Sequence, residues 1–155
     1  MARISDTMKK TLLTGIAALF LATSAFAEPI DPADIFIVDG DTVRIHNQYP
    51  NVRLVGLNAP ETRNASCPAE AELGAKATQR LRELIRGGRL DFEYVRCSCR
   101  EGTQGTSACN WGRSCGSLRA NGRDVGTILI EEGLAVPFVC GSTSCPKTPR
   151  PWCRP

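Results

Sequence analysis

The sequence predicts an α+β fold, mainly β: a small five-stranded Greek-key barrel with two helices and a tail stapled by disulfides. Three observations predict it. Short runs of alternating apolar residues, separated by turn formers, lie on both sides of one long helical stretch. The element order is three strands, a helix, two strands and a helix, with no repeat and no linker. Finally, seven of the eight cysteines, all but Cys67, crowd into the second half of the chain, three of them in its last segment.

Ile35 and Ile37, then Val43 and Ile45, then Val52 and Leu54 mark three strands, and VDGDT and NQYPN turn the chain between them as a meander. His46, at the end of the second run, reads as a solvated strand-end residue. From Pro68 the period changes. Leu73, Ala77, Leu81 and Leu84/Ile85 share a helical face, Pro68 suits a first turn, and Gly87-Gly88 ends the helix. Its arginines form the solvated side. LDFEYVRC alternates again as a fourth strand. SCREGTQGTSACNWG is a glycine-rich loop, and RSCGSLRA is the fifth strand. After the NGRD turn, Asp124 caps a short helix carrying Val125, Ile128 and Leu129, which Gly133 ends. CGSTSCPKTPRPWCRP holds four prolines and three cysteines without periodicity, so it is an irregular, stapled extension. Five strands around one helix suit a barrel of the oligonucleotide/oligosaccharide-binding type. The barrel domain is expected over 28–137 and the tail over 138–155.

The first 27 residues read as an export signal. Arg3, Lys9 and Lys10 precede the apolar run LLTGIAALFLATSAFA, which ends in the A-x-A pattern Ala25-Phe26-Ala27. Cleavage after Ala27 predicts a periplasmic or secreted domain with no membrane attachment. It also removes three bases and one acid, so the formal charge of +3 falls to +1. An anionic partner must then be held by a local site, because the domain has no broad positive field. Cys67, Cys97, Cys99, Cys109, Cys115, Cys140, Cys145 and Cys153 all follow the signal. An even count in an oxidising compartment predicts disulfides, in a pairing the sequence leaves open. The competing reading is a structural zinc site, but the single histidine, His46, is far from the cysteines in sequence.

The candidate chemistry begins with an acid where acids are depleted. Asp41 opens a strand, while Asp39 and Gly40 need nothing beyond a tight turn. Asn58-Ala59-Pro60-Glu61 leaves the third strand and would bring an amide oxygen, a backbone carbonyl and a carboxylate towards Asp41, all hard ligands for calcium. Arg53 begins the third strand, and Arg113 follows Trp111-Gly112 at the start of the fifth. Two guanidinium groups converging near one carboxylate call for an anion, and a phosphodiester suits their forked geometry. Glu61 could activate a water for in-line attack on phosphorus.

VDGDTVRI, then VRLVGLNAPET, then WGR ahead of ANGRDVGTILIEEGLAVP, together resemble the staphylococcal-nuclease-like (thermonuclease) family from about Ile35 to Pro137. The resemblance implies the barrel, calcium as cofactor, nucleic acid as partner, and cleavage of DNA or RNA phosphodiesters by a monomer. Position by position, it implies that Asp41 is the first calcium-binding acid and that Arg53 and Arg113 bind phosphate. It implies that Glu61 is the general base, that Ala59 offers its carbonyl to the metal, and that Trp111 sits against a nucleotide. Two departures stand out. The family's second calcium carboxylate is Asn58 here, and the family's final helix is replaced by the cysteine- and proline-rich tail. Asn58 therefore also keeps open a non-catalytic barrel that binds an anionic polymer or a protein partner at the cell envelope.

Overall fold

The computed structural model describes residues 27–153. The expected export signal, apart from Ala27, lies outside the described residues, as do Arg154 and Pro155. The chain is an α+β fold of the expected barrel type, its main sheet curled into a half-barrel. That sheet contains β1 (Glu28–Ile30), β2 (Ile35–Ile37), β3 (Thr42–Ile45), β4 (Val52–Leu54), β6 (Leu90–Val95), β7 (Ser114–Ala120) and β8 (Arg123–Asp124). Its order is β1-β6-β7-β4-β3-β2, with β8 paired to β7. A second sheet joins β5 (Gly56–Asn58) to β9 (Val136–Phe138).

The meander β2–β3–β4 is antiparallel, as the sequence predicts. Ile35 faces Ile45 and Ile37 faces Val43 across β2 and β3, so one face of both strands supplies the core. The barrel closes further through the parallel pairing of β4 with β7. Four strands exceed the five predicted: β1, β5, β8 and β9. Each is two or three residues long; β1 and β9 contain a proline, and β5 and β8 lack alternating apolar residues. The most consequential is β5. Gly56, at φ 87°, redirects the chain after Leu54, a conformation that costs other residues strain. Asn58, expected in a loop, is thus the last residue of a strand paired to Val136.

Helix α1 (Pro68–Gly87) forms where predicted, with Pro68 at its first position and Cys67 as N-cap. Its inner stripe is Glu70, Gly74, Ala77, Leu81 and Ile85. The sequence reading placed Leu73 on this face; Leu73 is only half-buried, while an acid and a glycine occupy the innermost N-terminal positions. The reason is packing. A Cβ at residue 74 would lie 2.6 Å from the Pro60 carbonyl oxygen and 2.8 Å from that of Glu61, so the helix seats directly on the loop backbone. Among the helix arginines, Arg80 does more than face solvent: it bridges to Glu132 at 2.8 Å, beyond the end of α2 (Val125–Glu131).

Asp124 caps α2, its Oδ1 accepting from Thr127 N at 2.8 Å. Asp124→Ala should cost about 1 kcal/mol, measured by denaturant unfolding of the oxidised protein. An unchanged midpoint would show that the cap contributes nothing.

All eight cysteines are paired: Cys67–Cys153, Cys97–Cys115, Cys99–Cys109 and Cys140–Cys145. The zinc reading has no thiolate left to use. Cys97, Cys109 and Cys115 are buried against Val95 and Cys99, so two disulfides form a small second core under the loop between β6 and β7. The tail is stapled twice, to itself through Cys140–Cys145 and to the start of α1 through Cys67–Cys153.

Candidate functional site

The site assembles where β3, β4, β5 and the turn before β7 meet. Asp41 precedes β3 and is 3 % exposed. Thr42 is paired in register with Arg53 across β3 and β4, which places the Arg53 guanidinium beside the Asp41 carboxylate. Asp41 Oδ1 forms an ion pair with Arg53 Nη1 and accepts from the Thr42 hydroxyl at 3.1 Å. Its Oδ2 accepts from Ala59 N at 2.7 Å. A buried carboxylate needs this complement of donors.

Arg53 also reaches β5. Its Nη2 donates to Asn58 Oδ1 at 2.6 Å. The Asn58 side-chain nitrogen donates to the Pro149 carbonyl at 2.9 Å. The two partners fix the amide's orientation: the cation requires its oxygen and the carbonyl requires its NH2 group. The guanidinium of Arg53 thus stands between the two side chains read as calcium ligands.

Arg113 is aimed by a local turn. Asn110, Trp111 and Gly112 have φ of 50°, 60° and 78°, and this reversal leads into β7. Arg113 Nε donates to the Asn110 carbonyl at 3.1 Å and Nη2 to the Asn110 side-chain oxygen at 2.9 Å. Neither partner carries charge. Trp111 projects outward, 84 % exposed.

Burial lowers the pKa of Arg53 to about 10, and the charge of Arg113 adds to the effect; Asp39 and Glu61 oppose it. Arg113 is lowered by burial in the same way, again opposed by Asp39 and Glu61. Both remain cations at neutral pH, and their mutual repulsion disposes the pair to take an anion. Burial raises Asp39 above the usual carboxylate range, against its Thr42 hydrogen bonds and the two arginines.

Arg53, Asn58, Glu61, Trp111 and Arg113 line one groove of about 770 Å³, walled on one side by the tail between Cys140 and Thr148. The structure therefore brings together Asp41, Arg53, Asn58 and Ala59 by direct contact, and places Glu61, Arg113 and Trp111 on the same groove. Ala59 makes its contact with Asp41 through its N–H. The cysteines are structural.

Sequence reasoning missed four participants. Asp39, read as a turn residue, lies close enough to both arginines for its charge to act on them; the paired acids of VDGD were the available signal. Glu70 lies on the inward helical stripe with Ala77 and Leu81, so tracing that face back two turns from Ala77 would have found a buried acid. Pro149 and Arg150 have no local signal, because their partners lie far away in sequence.

No curated protein matches the chain significantly. The family model for staphylococcal nuclease homologue matches residues 51–148, more than half the chain. This span carries Arg53, Asn58, Glu61 and Arg113 in one groove over a barrel of the matching type, and the chain belongs to the staphylococcal nuclease homologue family.

Proposed function

We propose that the protein is an exported nuclease that hydrolyses phosphodiester bonds of DNA or RNA with calcium. The observation that carries this reading is the convergence of Arg53 and Arg113 with Glu61 on one open groove. Two partly desolvated guanidinium groups would grip the phosphate oxygens, most strongly as negative charge builds on them. Glu61 would take a proton from a water, whose oxygen attacks phosphorus as the ester P–O bond breaks. Trp111 offers an exposed ring on which a base could stack. Export is supported by the four disulfides, which suit an oxidising compartment. A monomer is expected.

Family members generally depend on calcium. The donors here fit it by type, being the Asp41 carboxylate, the Asn58 amide oxygen and the main-chain carbonyl of Ala59, all hard oxygens. Among the described residues no three His, Cys, Asp or Glu side chains cluster at metal-binding spacing. A single carboxylate with an amide predicts a weak site, and both side chains are held by Arg53. When bound, calcium would supply positive charge to the phosphate oxygens. Arg53 would leave Asp41 and Asn58 for the substrate phosphate.

That one-carboxylate donor set favours a second reading, in which the groove binds an anionic polymer without cutting it. Incubating the oxidised protein with single-stranded DNA, in calcium and in chelator, separates the two. Cleavage in calcium that stops with chelator is expected. Equal cleavage in both would overturn the metal dependence, and binding without cleavage would establish the second reading.

A further inference from the structure

We propose that Arg150, in the tail, is a positioning residue that holds the Glu61-bearing loop in place through Glu70. The inference rests on the nuclease reading for its catalytic consequence, but not for its structural one. Glu70 is fully buried, at 0 % exposure, and its carboxylate ties three segments together. Oε2 accepts from Ser66 N at 2.7 Å, and Oε1 accepts from Glu61 N in a long contact of 3.5 Å, so both ends of the loop hang from one side chain. Arg150 completes the set with a two-pronged grip, Nε to Oε1 at 2.9 Å and Nη2 to Oε2 at 2.8 Å. Its Nη2 also donates to the Asn64 carbonyl at 2.9 Å, in the middle of the same loop.

A buried carboxylate without a cation is costly, and the group responds by taking a proton or by moving. Among the described residues, Arg150 is the one cation hydrogen-bonded to it. Burial by itself would raise the Glu70 pKa. The Arg150 hydrogen bonds, with those from Ser66 and Glu61, outweigh burial and hold it below the usual range. The ionised form is the better acceptor for the loop amides. The neighbouring residue works on the other end of the segment: the Pro149 carbonyl orients Asn58. Residues 149 and 150 therefore fix both Asn58 and the loop that begins at Glu61. The Cys67–Cys153 disulfide anchors them three residues further on. Pro149, Arg150 and Cys153 lie beyond the span matched by the family model, which ends at residue 148.

The test compares Arg150→Met, Arg150→Lys, Glu70→Gln and the double variant Glu70→Gln/Arg150→Met as full, oxidised chains. In Arg150→Met, amide hydrogen exchange over residues 61–66 should quicken at least tenfold while β7 and α2 keep their protection. On single-stranded DNA with calcium, kcat should fall about tenfold with KM little changed, as expected for a displaced catalytic group. Arg150→Lys should recover part of both. In the Glu70→Gln background, Arg150→Met should add little, because its effect passes through Glu70. Unchanged exchange over 61–66, or exchange that quickens evenly across the barrel, would overturn the clamp. So would a kcat within twofold of wild type in Arg150→Met once the loop has loosened, or full additivity in the double variant. If the wild-type chain does not cut DNA at all, the nuclease reading fails, and the exchange arm alone still decides whether Arg150 holds the loop.

Discussion

Arg53→Ala should cut cleavage severely and destabilise the fold together, whereas Arg113→Ala should cut cleavage alone. The two arginines line the same groove, but their ground-state partners differ. Arg53 is paired with a buried carboxylate, and the side chains of Arg53 and Asp41 are 13 % and 5 % exposed. Removing one member of a buried pair leaves an uncompensated charge, typically a loss of about 3 kcal/mol or more. Asp41 would keep only the Ala59 amide and the Thr42 hydroxyl. Arg113 donates to a carbonyl and an amide of Asn110, so its removal strands no charge. Each loss should cost on the order of 10²–10³ in kcat, the scale for deleting one donor to a charge that develops in the transition state. Glu61→Gln should match that fall without a change in stability. The checks are steady-state cleavage of single-stranded DNA and denaturant unfolding of each variant. Equal stability losses for Arg53→Ala and Arg113→Ala would show that the Asp41 pair contributes nothing. Near-normal turnover in Glu61→Gln would remove Glu61 from the base role.

What the sequence makes legible here, and what it hides, follows from distance along the chain. The alternation through Ile35, Val43 and Val52 and the helical period from Pro68 are local patterns, and they give the meander, α1 and the cap at Asp124 directly. Asp41, Arg53, Asn58 and Glu61 lie within about twenty residues of one another; the register of β3 against β4 sets Arg53 beside Asp41, and β5 carries Asn58 to Arg53. What escapes is short or distant. Strands β5 and β9 are three residues each and exist only because they pair with one another. The start of the inward face of α1 escapes because its contact there is with backbone, which leaves no apolar signature at Gly74. Arg150 meets Glu70 across 80 residues of sequence. A tail that reads as polar and aperiodic thus takes part in the site, and only the three-dimensional path of the chain reveals it.

Asn58→Asp should tighten calcium binding roughly tenfold, ~1.4 kcal/mol, while loosening the tail. The side chain at position 58 has two contacts of opposite character. Towards Arg53 it offers an oxygen, and a carboxylate would serve better. Towards Pro149 it offers an N–H, and a carboxylate there would set an oxygen against a carbonyl oxygen, losing a hydrogen bond and adding repulsion. Without metal, the second carboxylate therefore strengthens the hold on Arg53 but crowds Asp41 with like charge and releases Pro149. With metal, the balance favours the substitution. Calcium carries two charges where the guanidinium carries one, so an added negative oxygen improves the ion's position more than the arginine's. Arg53, displaced more readily, would also be freer to meet the phosphate, and activity at low calcium should rise. Calorimetric titration of both proteins with calcium measures the first effect, and limited proteolysis of residues 146–153 measures the second. If the wild-type chain binds calcium as tightly as the variant, Asn58 is not at the metal. If the tail stays equally resistant, the Pro149 contact does not hold it. If neither protein binds calcium or cuts DNA, the Asp41–Arg53–Asn58 arrangement is a closed hydrogen-bonded cluster, and the groove serves binding alone.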